Sequence, residues 1–168
     1  MTISMYQASV PAFLHMLTSM AAVLDKAEAH AAARKVDPAV LLGYRLAPDM
    51  LPLTRQIQIM ADFAKGCAAR LAGIEPPKYA DDETTIAGLK ARLEKTASFL
   101  EGLEQDDIDG SEDRDVTITV GGTPMTFKGQ RYLIQFVLPN FYFHATTAYD
   151  ILRHCGVELG KKDFMGQR

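Results

Sequence analysis

Apolar residues recur at spacings of three and four along three long stretches in the first part of the chain, which is the period of an α-helix. The first stretch extends from about Met5 to Ala33, and the second from about Asp49, a candidate N-cap, to Leu71, before Gly73 as its stop. The apolar positions of the second are Leu53, Ile57, Met60, Ala64, Cys67 and Leu71. This uninterrupted seam predicts a helix that packs at a shallow angle against its neighbours in a bundle.

A third apolar stripe follows Asp81 and Asp82, which are candidate caps for another helix. Its members are Ile86, Leu89, Leu93, Ala97, Leu100 and Leu103. The Glu and Lys residues of this segment lie mostly outside the stripe, so we expect them to form a solvated face.

The period then changes to two, because Val116, Ile118 and Val120 alternate with threonines before Gly121-Gly122. Two adjacent glycines suit the positive φ angles of a type I′ turn, so the segment predicts a small β-hairpin. The last long helix is expected from about Gly129 to Cys155, with Gly156 as its stop and Pro139 as an internal kink or break. The prediction is an all-α, up-and-down four-helix bundle with a small β-hairpin before the last helix, in one domain over residues 1–168.

Length and composition agree with this picture and exclude several functions. A chain of 168 residues with 48% hydrophobic residues has about the length of one domain. Its net charge of −3 and the absence of a basic block argue against nucleic acid as a partner. No apolar stretch approaches the length of a membrane span and the N-terminus has no basic signal region, so we expect a cytoplasmic location and no membrane contact. Cys67 and Cys155 are expected to be buried small hydrophobes rather than a redox pair.

The seam of the last helix is interrupted by polar residues. It reads Leu133, Val137, Asn140, His144, Thr147, Ile151 and Cys155. Asn140, His144 and Thr147 should therefore face the bundle interior, where an unpaired polar group costs about 1–3 kcal/mol. Gln56 on the second helix is the first candidate partner across from them. Further candidates are Asp49, Asp62, Tyr142 and Tyr149.

Two functions fit this cluster. In the first, Gln56, Asn140 and Thr147 bind a small-molecule ligand and His144 acts as catalytic base or hydrogen-bond donor, as in a weak transferase. In the second, the same residues only set the core registry of a non-catalytic bundle that works through its surface or as a homodimer. One histidine beside two amides is a poor ligand set for zinc, although His15 could turn inward as a second nitrogen ligand. Motifs for nucleotide binding, zinc proteases and serine hydrolases are absent from the sequence.

The chain resembles the DinB-like, or YfiT-like, superfamily of four-helix candidate metalloenzymes. The strings RLAPDMLPLTRQIQ, AKGCAARLAG and PNFYFHATTAYDILRHCGVELGKKDFMG look like those of a bacterial family catalogued as a domain of unknown function. The resemblance covers essentially the whole chain. It implies the same bundle and, in many members of the superfamily, a dimer.

The resemblance also implies a divalent metal such as nickel or zinc, held by one histidine on the second helix and two on the last, spaced by four. Some characterised members are thiol-dependent transferases and isomerases. By position, His144 matches the second histidine of the last-helix pair and would be a metal ligand. Asn140 stands where the first would be, and Gln56 lies near the second-helix position, so two of the three positions are not histidine.

Overall fold

Four long helices form the fold, and short helices and a hairpin occupy the connections between them. The computed structural model describes residues 3–166. In chain order the elements are α1 (Val10–Arg34), α2 (Pro38–Leu42), α3 (Leu53–Ala72), α4 (Ile86–Glu101), α5 (Gln105–Ile108), β1 (Asp115–Val120), β2 (Thr123–Lys128), α6 (Gly129–Arg131), a π-helical segment (Tyr132–Val137), α7 (Leu138–His154) and α8 (Lys161–Phe164).

The helix packing confirms an all-α bundle with a small hairpin before the last helix. Helix α3 makes its most extensive contact with α7 and also packs on α4, while α1 packs on α4 and α7. The consecutive long helices α1 and α3 touch less closely, so the order around the bundle is α1, α4, α3, α7. Within the described residues, no helix is both long and apolar enough to cross a bilayer.

The apolar stripes read from the sequence form the core. All six seam positions of α3 are fully buried, including Cys67. The α4 stripe is likewise buried apart from Ala97, which packs half-buried against the core. Full burial of each leucine, isoleucine or methionine side chain contributes about 1.5–3 kcal/mol, so these seams supply a large part of the stabilisation of the bundle.

Both predicted glycine stops are confirmed, and an aspartate caps the start of the short helix α2. Asp37 caps α2 by accepting a hydrogen bond from the Ala39 amide at 2.9 Å. Gly73 and Gly156 follow α3 and α7 with φ angles of 76° and 84°, the left-handed conformation that ends many helices.

Three predicted helix starts are wrong. Helix α1 begins at Val10, after a series of turns, and not near Met5. Helix α3 begins at Leu53 and Asp49 is exposed, because Pro52 disfavours a helical conformation in the residue before it. Helix α4 is capped by Thr85, whose hydroxyl accepts from the Gly88 amide at 3.0 Å, and not by Asp81 or Asp82.

The hairpin pairs β1 with β2 in the predicted register around Gly121-Gly122, which have φ angles of 56° and 84°. Val116 is buried, and the Phe127 ring packs on Tyr132 and Phe136 at centroid distances of 6.2 and 5.4 Å. The hairpin therefore rests on the beginning of the last helix.

Pro139 does not break the last helix. The π-helical segment comes directly before it, and the Leu138 amide donates to the Leu133 carbonyl, five residues back. Proline lacks the amide that would continue this ladder, yet α7 proceeds through Pro139 near its first turn, where proline is tolerated. The irregularity appears as a widened turn and not as a gap between two helices.

Candidate functional site

A cleft of about 810 Å³ lies along the contact between α3 and the last helix, and residues 118–121 of the hairpin form part of its wall. From one end to the other, contacts along it join Gln56 to His144, Phe63 to Phe136, and Arg70 to Tyr132. Residue numbers rise on α3 as they fall on the last helix, so the two helices run antiparallel and each end of the cleft is defined by one pair.

The pair at one end is a buried hydrogen bond. His144 Nδ1 lies 2.6 Å from Gln56 Oε1, and the two side chains are 9% and 1% exposed. The Gln56 amide nitrogen donates to the Leu51 carbonyl at 2.9 Å, which orients the amide with its oxygen toward the imidazole. Because an amide oxygen can only accept, His144 Nδ1 carries the proton and donates it to Gln56.

The other ring nitrogen of His144, Nε2, is then a hydrogen-bond acceptor. Burial lowers the pKa of His144 below its usual value, so the ring is neutral at neutral pH. Phe63 stacks on it at a centroid distance of 6.0 Å, and Phe143 contacts it edge-on at 5.3 Å. No second hydrogen bond reaches the ring from residues 3–166. The imidazole lines the cleft as a neutral base with Phe63 stacked on one face.

The remaining predicted site residues lie in different surroundings. Asn140 lines the cleft, but its amide donates to the Phe136 carbonyl at 2.7 Å and not to His144. Gln56 lies behind His144 and does not line the cleft. Thr147 is 4% exposed and belongs to the core, away from the cleft wall.

Of the further candidate partners, only Asp62 reaches the cleft. Asp49 and Tyr142 are exposed, and Tyr149 packs on Phe164. None of these four side chains therefore supplies a hydrogen bond to His144 within residues 3–166.

A network of charges lies behind the cleft wall. Arg92, with its side chain 2% exposed, donates to Asp62 at 2.8 Å and to Glu83 at 2.9 Å, and lies 3.0 Å from Asp81. Lys65 also pairs with Asp62, at 2.9 Å. Burial opposes ionisation of Glu83, but hydrogen bonds from Arg92 and Gln58 outweigh it and hold the pKa of that carboxyl below its usual value. This network fixes the loop that contains Asp81 and Glu83 against α3 and α4.

The opposite end of the cleft contains Arg70 and Tyr132. Arg70 Nη1 donates to the Gly66 carbonyl at 2.9 Å and to the Tyr132 hydroxyl at 3.2 Å. Burial raises the pKa of Tyr132 to about 12, so its hydroxyl stays protonated at neutral pH.

The donors do not form the three-histidine metal site that the resemblance implies. Within residues 3–166, no three His, Cys, Asp or Glu side chains converge. His144 Nδ1 is occupied by Gln56, and the Asn140 amide is turned to a backbone carbonyl. A single imidazole nitrogen remains, whereas zinc sites use three or four protein ligands.

Sequence reasoning missed Arg70, Arg92 and the hairpin wall of the cleft. One signal was available, because Gln56, Phe63 and Arg70 are spaced by seven and therefore lie on one face of α3. On the last helix Tyr132, Phe136, Asn140 and His144 are spaced by four and all line the cleft. The π-helical segment has more residues per turn than an α-helix, which keeps residues spaced by four on one face.

Comparison with known proteins places this bundle in the DinB-like class. A crystal structure of a DinB family member protein from Shewanella denitrificans is 43% identical to this chain, with a TM-score of 0.87, over 97% of this chain and 92% of that one. The chain belongs to the family described as Domain of unknown function (DUF1993), whose model matches residues 5–165. No curated protein matches the chain.

Proposed function

We propose that this protein binds a small organic molecule in the cleft between α3 and α7, and that His144 accepts a hydrogen bond or a proton from it. The observation that carries the proposal is the ordered tautomer of His144. Its Nδ1 proton is held by Gln56 Oε1 at 2.6 Å, which leaves the Nε2 lone pair for a ligand.

The protonation state supports this role. A histidine with a lowered pKa is neutral at physiological pH and can accept a proton from a hydroxyl, thiol or amine. The Gln56 oxygen would stabilise the imidazolium that forms, because both ring nitrogens then carry protons. His144 is thus the candidate catalytic residue for any transfer reaction in the cleft.

The shape and lining support a small-molecule ligand. A cleft of about 810 Å³ lies within the range of about 300–1,000 Å³ common for such sites. Its walls combine the aromatic rings of Phe63 and Phe136 with a few polar groups. A π-helical turn faces it, and such turns occur often at functional sites.

The test compares two small probes, para-cresol and toluene, by protein-observed NMR. The probes differ only in the hydroxyl that can donate to His144 Nε2. We expect para-cresol to perturb the His144 and Asn140 signals and to bind several-fold more tightly than toluene. The preference should disappear in His144→Leu and persist in His154→Leu, which makes the same change on an exposed histidine.

The alternative is that the pair only sets core registry in a non-catalytic bundle. On this alternative, neither probe perturbs the cleft signals. The double variant Gln56→Leu, His144→Leu is then more stable than the wild type. That pair of results would overturn the proposal, whereas loss of the cresol preference in His144→Leu would overturn the registry function.

A further inference from the structure

Within residues 3–166, two of the three charged side chains that line the cleft are paired with a side chain of opposite charge, and the third is not. Asp62 is paired with Arg92 and Lys65, and Arg55 is paired with Asp81 at 2.6 Å. Arg70 is the third charged lining residue, and no carboxylate within the described residues lies in ion-pair distance of it. The cleft therefore has one uncompensated cation, at the end opposite His144.

The position of that cation is specified by its neighbours. Arg70 lies in the last turn of α3, where a cation could interact with the terminal carbonyls, but its guanidinium turns back by one helical turn to Gly66. It also donates to the Tyr132 hydroxyl, whose own proton is then directed elsewhere and can be donated. A guanidinium and a phenol at one site form a donor set suited to a carboxylate or phosphate group.

Gly66 is required for this arrangement. A Cβ at position 66 would lie 2.6 Å from Arg70 Nη1, and the only other atom within 4 Å is the central carbon of the same guanidinium. Alanine there would displace the end of a flexible side chain and nothing else. The glycine thus leaves the space that the guanidinium occupies beside the Gly66 carbonyl.

The distance between the two polar ends limits the length of a ligand that reaches both. Gly66, where the guanidinium lies, and Gln56, which contacts His144, are ten residues apart on α3, or about 15 Å along the axis. Between them the wall includes Ile59, Phe63 and Phe136, which are apolar.

We infer that the cleft binds an elongated organic anion, with its terminal carboxylate or phosphate on Arg70 and Tyr132 and its apolar body directed toward His144. This inference rests on the proposed function and adds the chemical class and orientation of the ligand. Gly66 is a positioning residue in it, because it acts only through Arg70.

The probe is an octanoate with a para-hydroxyphenyl group on its last carbon, compared with the corresponding neutral octanamide. The amide has the same length and the same phenol, so it lacks only the charge. Affinities are measured by NMR titration of the full chain, with the His144 and Asn140 signals as reporters. A phosphate monoester of the same overall length and with the same aryl group serves to compare the two anion types.

We expect the carboxylate to bind the wild type at least tenfold more tightly than the amide. The ratio should fall to about one in Arg70→Gln and in Gly66→Ala, and stay unchanged in Arg153→Gln, an exposed arginine outside the cleft. The melting temperature of Gly66→Ala should not decrease, because alanine is the better helix former. Its retained fold separates lost positioning from lost structure.

Other results would overturn the inference in distinguishable ways. Equal binding of acid and amide with perturbed cleft signals would overturn the anion class and leave the small-molecule cleft intact. Unperturbed signals with all three probes would overturn both. A full carboxylate preference in Gly66→Ala would contradict the positioning of Arg70 by Gly66.

Discussion

His144 on α7 donates from Nδ1 to Oε1 of Gln56 on α3 at 2.6 Å, across the main helix contact of the bundle. The same glutamine is anchored by its donation to the Leu51 carbonyl. An uncharged amide thus selects the tautomer of a buried histidine, and the lone pair of that histidine belongs to the cleft. The stability of the fold and the chemistry of the cleft are coupled through this one bond.

The first prediction concerns pH. Because burial lowers the pKa of His144 in the folded state, the unfolded chain binds its proton first as the pH falls. The contribution of the neutral His144 ring to the free energy of unfolding is therefore fully present above the ordinary histidine pKa of about 6.5. It is lost as the pH decreases toward the lower pKa of the folded state. Urea unfolding of the wild type at pH values from about 8 to about 5, which span the titration of histidine, should show this decline in the free energy of unfolding.

The matched variant for that prediction is His144→Gln, which keeps a hydrogen-bonding side chain without a titrating ring. Its free energy of unfolding should decrease less over the same range, since His15, His30 and His154 are common to both proteins. Identical slopes for variant and wild type would contradict a lowered pKa. The tautomer itself is measured from the ring ¹⁵N shifts, which should show protonated Nδ1.

The second prediction is the coupling between Gln56 and His144. His144→Leu leaves a buried acceptor on Gln56, and Gln56→Leu leaves a buried donor on His144, so each should cost about 1–3 kcal/mol of unfolding free energy. The double variant leaves neither, and it should cost less than the sum of the singles by about 1 kcal/mol. Chemical denaturation of the four proteins completes the cycle, and additive costs would mean that the bond is not formed.

The third prediction concerns the buried network around Arg92. Arg92→Met removes the cation that Asp62, Asp81 and Glu83 share. Asp62 keeps Lys65 and Asp81 keeps Arg55, so Glu83, which is largely buried, is the carboxylate left without a cation, and we expect a loss of about 1–3 kcal/mol. Arg153→Met, on an exposed arginine, should change stability by no more than about 0.5 kcal/mol. Similar losses in both variants would show that the network contributes nothing specific.

The same variant should also lose part of the pH dependence that the wild type shows in acid. A hydrogen bond from Arg55 lowers the pKa of Asp81, with help from Arg92, and Arg92 together with Gln58 lowers that of Glu83. Stability from these carboxylates is present above the ordinary carboxyl pKa of about 4 and is lost as the pH falls through the lowered values. In Arg92→Met the cation that helps to lower these pKa values is gone, so the difference in unfolding free energy between wild type and variant, measured by urea unfolding, should shrink as the pH falls below about 4. A difference that stays constant with pH would contradict this prediction.

The apolar framework of this fold could be predicted from sequence because it is local and periodic. The α3 seam, the Asp37 cap and the Gly73 stop depend on residues within a few positions of one another. The Gln56–His144 contact was also within reach, since both residues interrupt or border apolar seams. The predicted starts of α3 and α4 failed because Pro52 and Thr85 decide them, not the nearest aspartates.

What the sequence could not predict depends on residues far apart in the chain. Arg92 looks like part of a solvated face, and it is buried only because Asp62 and the loop containing Glu83 close over it. The position of the hairpin against the cleft follows from Phe127 and its aromatic contacts with the last helix. Periodicity along a single helix contains no information on either contact.

The fourth prediction concerns the anchor of the hairpin. Gly129 begins the last helix so close to the loop before β1 that a Cβ there would lie 2.0 Å from the Ser111 carbonyl oxygen. Because that neighbour is backbone, Gly129→Ala should cost about 1–3 kcal/mol. Gly102→Ala is the control, since its nearest atom would be at 3.5 Å, an ordinary contact. Equal stability of the two variants, measured by thermal unfolding, would contradict the close approach.

The fifth prediction concerns metal. As the wild type offers one free imidazole nitrogen in the cleft, we expect substoichiometric nickel and zinc in protein purified without a histidine tag and dialysed. Gln56→His would place an imidazole on α3 opposite His144. Asn140→His would place another on α7, one helical turn before His144 and on the same face. The double variant should bind Zn²⁺ or Ni²⁺ in equilibrium dialysis more tightly than either single variant, because three nitrogen ligands and water complete a tetrahedral site. Near-stoichiometric metal in the wild type would show instead that Gln56 and Asn140 reorient to support a site that their observed hydrogen bonds do not form.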